Sequence, residues 1–586
     1  MNRMRFVLCL WLAVILNIAA GEEPKVCIKD GCLIGITETS RLGREYFSFL
    51  GIPFAKPPID RLRFKPPERP EPWETLDAKK DGKVCPRTII HLSEDYPETS
   101  EDCLYLNVYT PQISVEGTSD RKFPVIVVFH TGGFQYWSGT RHHFPGNYFL
   151  DHDVVIVSAN YRLNVFGFLS TEDLVSPGNY GLKDQRRVLE WVQENIAVFG
   201  GDPKSVTIQG QGSGGASVHF HMLSPPSKGL FHRAIAQSGT ALAPWAFSMP
   251  LEAREHAHYL GKHLGCPLQN TTALVECLRW KSVDELLEAD PIFFVWGIDP
   301  LIPWKPSVEP EHDGAFLTQA PLEILENGNF NDVPLLIGAT SHEGLYRAAG
   351  ILESEPARLN WNALPLKSYS SALNLHQLSV NELKDTITRL RNYYFNSDNV
   401  LHKHRKQFIN MFSDRYFFRP MAKTIRYHRN HKSPIFAYRF DFIQPRVSFT
   451  KYYMMLDEED LKTYKAVCHS DDLMYFYPLE KTLFPNLKHG EESKAMIDRM
   501  LGMWINFANH GHPTPEGYDV TWDPVESEGI EYLKIKGPND LQMTPGFYNK
   551  RLLIWDDLKL EREISKDAAY MKEMQWLNKT EKHDEL

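Results

Sequence analysis

The sequence predicts an α/β fold in which one central, largely parallel β-sheet is covered by helices on both faces. Three observations predict it: short apolar runs bounded by turn residues, helical patterns between those runs, and no internal repeat or long low-complexity linker along the 586 residues. A prior of about 150 residues per domain would suggest four units. The alternation of strand and helix instead favours one large domain over residues 22–557, after a leader over residues 1–21 and before a charged tail over residues 558–586.

The expected strands are Val125 to Phe129, Val154 to Val157, Val206 to Ile208, Ala234 to Ala236 and Leu335 to Ile337. Strands buried on both faces read as near-continuous apolar runs, as these do. The clearest helix runs from Leu182 to Val198, with Val188, Leu189, Val192 and Ile196 on one face and Gly200 and Gly201 just past its end. Apolar residues make up 42% and charged residues 24%, close to the averages of about 45–50% and 25% for a packed globular chain. Sixty-four Lys and Arg against 74 Asp and Glu give a net charge of −10, without the basic surplus of a nucleic-acid binder.

The two ends read as addresses. Arg3 and Arg5 precede the apolar run Phe6 to Leu16, and Ala19, Ala20 and Gly21 follow, the order of a secretory signal cleaved near Ala20 or Gly21. That run is too short to span a hydrocarbon core about 30 Å thick, and no later stretch reaches 18 uninterrupted apolar residues, so no membrane span is expected. The last four residues, His583, Asp584, Glu585 and Leu586, match the H-D-E-L retention signal. The expected compartment is the lumen of the endoplasmic reticulum, with its retention receptor as one partner.

Removal of the signal leaves seven cysteines. Sequence order suggests Cys85 with Cys103 and Cys266 with Cys277; Cys27 and Cys32 could form a third bridge and leave Cys468 over, although connectivity does not follow from sequence. Asn270 and Asn578 head N-glycosylation sequons.

The segment expected to carry chemistry is SVTIQGQGSGGAS, residues 205–217, a buried strand followed by a Gly-rich turn and a helix. That is the setting of the G-x-S-x-G nucleophile elbow, whose tip residue alone points its side chain above the sheet. Here Gly210 and Gly214 flank the tip, and the tip itself is Gly212. Ser213 is one residue late; in this position it opens the helix and contributes its N–H rather than its hydroxyl.

The chain resembles the type-B carboxylesterase family, which includes cholinesterases and insect carboxylesterases, from about Pro24 to Asp557. The resemblance is carried by SEDCLYLN at 100–107, GNYGLKDQ at 178–185, FGGDP at 199–203, the elbow, and AQSG at 236–239. It implies an α/β-hydrolase fold with a deep active-site gorge, the disulfides Cys85–Cys103 and Cys266–Cys277, and a triad in the order nucleophile, Glu, His. By this resemblance Glu343, in SHEG at 341–344, takes the acid position although the Asp usual before it is His342. His469, in HSDDLMY at 469–475, takes the base position. In a working triad the His receives the nucleophile's proton and the carboxylate orients the ring.

The family's H-G-G-G-F segment reads HTGGF at 130–134, so the oxyanion donors implied are the N–H groups of Gly132, Gly133 and Ser213. Thr131 replaces the first glycine, and its lack of freedom at positive φ is expected to shift the loop. Trp245 falls in the acyl-pocket region by resemblance, and core packing accounts for it equally well. The cholinesterases' cation-binding Trp in the first disulfide loop has no counterpart between Pro86 and Asp102, which disfavours choline substrates. His219 and His221 have no metal-ligand spacing, and neither metal nor cofactor is expected.

The leading expectation is a luminal esterase homologue that has lost serine catalysis at Gly212 and binds a hydrophobic ester, a related small molecule, or a luminal partner. The alternative is an active carboxylic-ester hydrolase using Ser213 or a water activated by His469.

Overall fold

Alternating strands and helices collect into one large mixed sheet. The protein is described by a computed structural model covering residues 23–87, 98–113, 121–443, 448–449, 466–479, 482–484, 488–547, 549–558 and 560. The leader, Asn578 and the terminal tetrapeptide lie outside the described residues. In chain order the strands are β1 (Lys25–Ile28), β2 (Gly31–Ile34), β3 (Ile36–Thr39), β4 (Glu45–Pro53), β5 (Thr75–Asp77), β6 (Tyr105–Thr110), β7 (Phe123–Phe129), β8 (Val155–Ala159), β9 (Gly201–Gln211), β10 (Arg233–Gln237), β11 (Leu335–Thr340), β12 (Ile435–Phe440), β13 (Tyr532–Gly537) and β14 (Asp540–Thr544).

Strands β1, β2 and β5 form a small sheet, and the other eleven lie in the order β14-β13-β12-β11-β10-β9-β7-β8-β6-β4-β3. The stretch from β8 through β13 is parallel; β6, β4 and β3 on one side and β14 on the other pair antiparallel. All five expected strands are present. The antiparallel flanks were not among them, because polar residues interrupt the apolar ones in β4 and β6, and β3 and β14 have no buried residues. Residues of β7, β8 and β11 are buried throughout, as a sheet covered on both faces requires.

The expected helix at Leu182 spans Tyr180–Asn195 and tightens into a 3-10 turn over Ile196–Phe199, so the α-helix ends three residues before Val198. Gly200 follows at φ 77°, a left-handed position that stops the helix. The three disulfides Cys27–Cys32, Cys85–Cys103 and Cys266–Cys277 are formed, and Cys468 is a buried free thiol. Asn270 is exposed and caps the helix Thr271–Arg279 through its Oδ1, which accepts the Ala273 N–H at 2.8 Å. Among the described residues no helix is long and apolar enough to cross a membrane.

What positions the site is the join between β9 and the helix Ser213–Leu223. Backbone from β7 passes so close that a Cβ on Gly214 would stand 2.1 Å from the Phe129 carbonyl oxygen. Backbone cannot yield as a side-chain tip can. Gly214→Ala is therefore expected to destabilise the chain by about 3 kcal/mol, read as a lowered urea midpoint; an unchanged midpoint would contradict this packing.

Candidate active site

Strand β9 ends at Gln211, and the chain reverses at Gly212 with φ 58° and ψ −119° before the helix begins at Ser213. The Gly212 N–H donates to the Gln237 carbonyl at 2.8 Å, and the Gly212 carbonyl accepts the Ala216 N–H at 2.9 Å. The tip is thus anchored by its backbone, independently of any side chain. A Cβ at residue 212 would lie 3.1 Å from His469 Nε2 and 3.5 Å from Cε1. The tip faces the imidazole nitrogen that would receive a nucleophile's proton.

Glu343 and His469 meet beside it. Glu343 sits on the turn after β11 and is fully buried. Its Oε1 accepts the Thr340 N–H at 2.7 Å and the Ser238 hydroxyl at 2.5 Å, and its Oε2 lies 2.5 Å from His469 Nδ1. His469 precedes a 3-10 turn at Asp471–Tyr475, and the His342 N–H donates to the Val467 carbonyl, tying the two loops together. With Nδ1 donating to Glu343, Nε2 is directed toward Gly212. The Gln211 amide nitrogen is 3.1 Å from Nε2 and 3.4 Å from Nδ1.

The ring is held from its other sides by Phe417, with centroids 4.8 Å apart, and Tyr346, at 5.4 Å. Phe417 belongs to a π-helical turn, Asp414–Phe418, inserted between the helices Arg405–Ser413 and Arg419–His428. Such insertions are enriched at functional sites. Trp245 donates its indole N–H to the Tyr416 carbonyl at 3.1 Å and packs on Phe417, so it reaches the site through that ring. Behind the pair, Asp472 accepts from Gln237 Nε2 and the Tyr438 hydroxyl, and burial pushes its carboxyl up to about 6.

Ser213 does not meet His469. Its hydroxyl is buried and lies beside the Tyr161 hydroxyl. The Ser213 nucleophile considered from sequence therefore lacks the contact with the base that activation requires. Its N–H, at the first turn of the helix, has no intrahelical acceptor.

The loop expected to be shifted by Thr131 is not strained there. Positive φ falls on Gly132 (106°), Gly133 (62°) and Phe134 (60°), and Thr131 is not among these positions. His130 is buried, which pushes its pKa down to about 3, so the neutral ring donates from Nδ1 to the Thr131 carbonyl at 2.8 Å. The Tyr161 hydroxyl donates to the His130 carbonyl and its ring stacks on that imidazole. What Thr131 changes is space. Its Oγ1 would stand 2.7 Å from a Cβ at residue 212. No backbone acceptor among the described residues takes the N–H of Gly132 or Gly133.

Sequence reasoning missed Ser238, Gln211, Phe417 and Tyr346. Ser238 and Gln211 carried a signal, since they lie within the quoted AQSG and 205–217 segments; Phe417 and Tyr346 are brought in by tertiary contact. His219 and His221 bond to His428, and to Ser227 and Gln185, inside the core. No cluster of three His, Cys, Asp or Glu suited to a metal occurs among the described residues.

With this geometry in place, comparison with known proteins finds a match to the carboxylesterase family model over residues 22–555. The chain is 37% identical over 537 residues to a juvenile hormone esterase of Tribolium castaneum, covering 89% of each chain. It is 34% identical over 541 residues to esterase FE4 of Myzus persicae, covering 90% of this chain and 91% of that protein. Its fold is similar to that of the crystal structure of juvenile hormone esterase from Manduca sexta with OTFP covalently attached: TM-score 0.79, 27% identity, 92% of this chain and 99% of that chain.

The crowding by Thr131 sets an expectation for restoring a nucleophile. Gly212→Ser alone should react slowly with a fluorophosphonate, and Gly212→Ser with Thr131→Gly should react at least about tenfold faster, since small misplacements of reacting groups cost that much. Equal labelling rates would show that Thr131 does not crowd the tip.

Proposed function

The chain belongs to the carboxylesterase family, and from that membership we propose that it is a member without a serine nucleophile, acting by binding a hydrophobic ester or related small molecule in the site at Gly212. One observation carries the reading: the elbow's tip faces His469 Nε2 and bears no side chain. Glu343 and His469 keep the acid and base arrangement, and the N–H groups of Gly132, Gly133 and Ser213 take the role of oxyanion donors. Loss of a triad serine costs about 10⁶-fold in turnover, while donors and binding alone retain roughly 10³- to 10⁴-fold over water. Weak residual hydrolysis is therefore part of the proposal.

The three disulfides support an oxidising compartment, and the proposal names the lumen of the endoplasmic reticulum on the strength of the HDEL motif and the exposed Asn270 sequon.

The intact pair at His469 also keeps alive a second reading, hydrolysis by a water that His469 activates in the space beside Gly212. Turnover of a p-nitrophenyl ester separates the two. The non-hydrolytic reading predicts a slow rate that His469→Ala leaves within about threefold. A rate that His469→Ala or Ser213→Ala lowers more than about tenfold would overturn it.

A further inference from the structure

We propose that Thr131 makes the site at Gly212 a receptor for carboxylic acids: its hydroxyl, standing where a nucleophile's side chain would be, joins the N–H groups of Gly132, Gly133 and Ser213 in holding the carboxylate of an acid with an apolar tail. This rests on the non-hydrolytic reading above.

The geometry supplies the donors. Thr131 is only 3% exposed, and its hydroxyl makes no hydrogen bond among the described residues. It would stand 2.7 Å from a Cβ at residue 212, a point 3.1 Å from His469 Nε2, so the hydroxyl and the imidazole border the same small volume. A ligand oxygen in that volume would give this hydroxyl an acceptor. The His130 ring, donating to the Thr131 carbonyl, fixes the backbone from which the hydroxyl projects.

Counting donors and acceptors decides the ligand class. The donors proposed are the N–H groups of Gly132, Gly133 and Ser213 and the Thr131 O–H, with the Glu343–His469 pair beside them. An ester carbonyl offers two lone pairs, whereas a carboxylate offers about four acceptor sites. The carboxylates close by already hold partners. Both Glu343 oxygens are engaged behind the imidazole, and Asp472 Oδ2 is bonded to Gln237 and Tyr438. Apolar groups line the approach: Ile302 Cδ1 would lie 3.2 Å from a Cβ on Gly133, and Phe417 covers the His469 ring. A serine at the tip would take up the volume that the acid's second oxygen needs, so Gly212 and Thr131 act together.

The test uses the full chain and calorimetric titration with butyrate, decanoate and palmitate and with the methyl ester of each. At least one acid should bind at least about tenfold more tightly than its own ester, and Thr131→Val should weaken that acid about tenfold while changing its ester less than threefold. Thr131→Ser, which keeps the hydroxyl, should retain the acid, and Thr131→Gly should lose it as Val does, so a folding defect in one variant does not decide the result. The proposal is overturned if no acid binds more tightly than its ester, or if both hydroxyl-free variants bind the acid as the wild type does. Hydrolysis of the methyl esters in the same samples, with and without His469→Ala, reports separately on the non-hydrolytic reading.

Discussion

The site depends on one constraint, the close passage of backbone at the turn from β9 into the helix Ser213–Leu223. A Cβ on Gly210 would meet the Gly214 backbone at 2.3 Å, and one on Gly214 would meet Phe129 O at 2.1 Å. Three stretches of chain therefore converge where only glycine fits, and the tip between them is forced to project. Its backbone hydrogen bonds to Gln237 and Ala216 would be the same with any residue there. The arrangement of Glu343 and His469 around the tip therefore does not depend on a side chain there.

Retention of the Glu343–His469 pair does not require hydrolysis. Glu343 is fully buried and satisfied by three donors, from Ser238, Thr340 and His469. Removing one partner of a buried pair typically costs about 3–5 kcal/mol, because the remaining charge has no compensation. Stability alone therefore favours keeping both residues, whatever stands at the tip. The tip is different: a glycine at φ 58° is comfortable, and the adjacent volume has been partly taken up by Thr131 Oγ1. Gly212 and Thr131 are complementary in space.

Much of the sheet's centre was legible because burial on both faces leaves apolar runs such as Val125 to Phe129. Its flanks were not: β3 alternates partly buried and exposed residues, and β14 has no buried residue. β9 begins at Gly201, five positions before the expected Val206, because its first residues are polar and incompletely covered. At the site, Glu343, His469 and the two loop glycines could be located by motif. The Thr131 contact with the tip could not, since it is made across the sheet between β7 and β9, and the expected backbone strain at Thr131 is absent because Gly132, Gly133 and Phe134 carry the unusual φ values. Ser213 illustrates the same limit: the sequence places it beside the tip, but only coordinates show its hydroxyl turned toward Tyr161.

The most direct measurement of the central claim is the intact mass of the wild-type chain after exposure to excess fluorophosphonate. The account predicts no covalent adduct, because no hydroxyl among the described residues is hydrogen-bonded to His469 Nε2 and so activated by it. A stoichiometric adduct that disappears in Ser213→Ala or Thr131→Val would contradict it, by showing that a neighbouring hydroxyl has taken over the nucleophile's work.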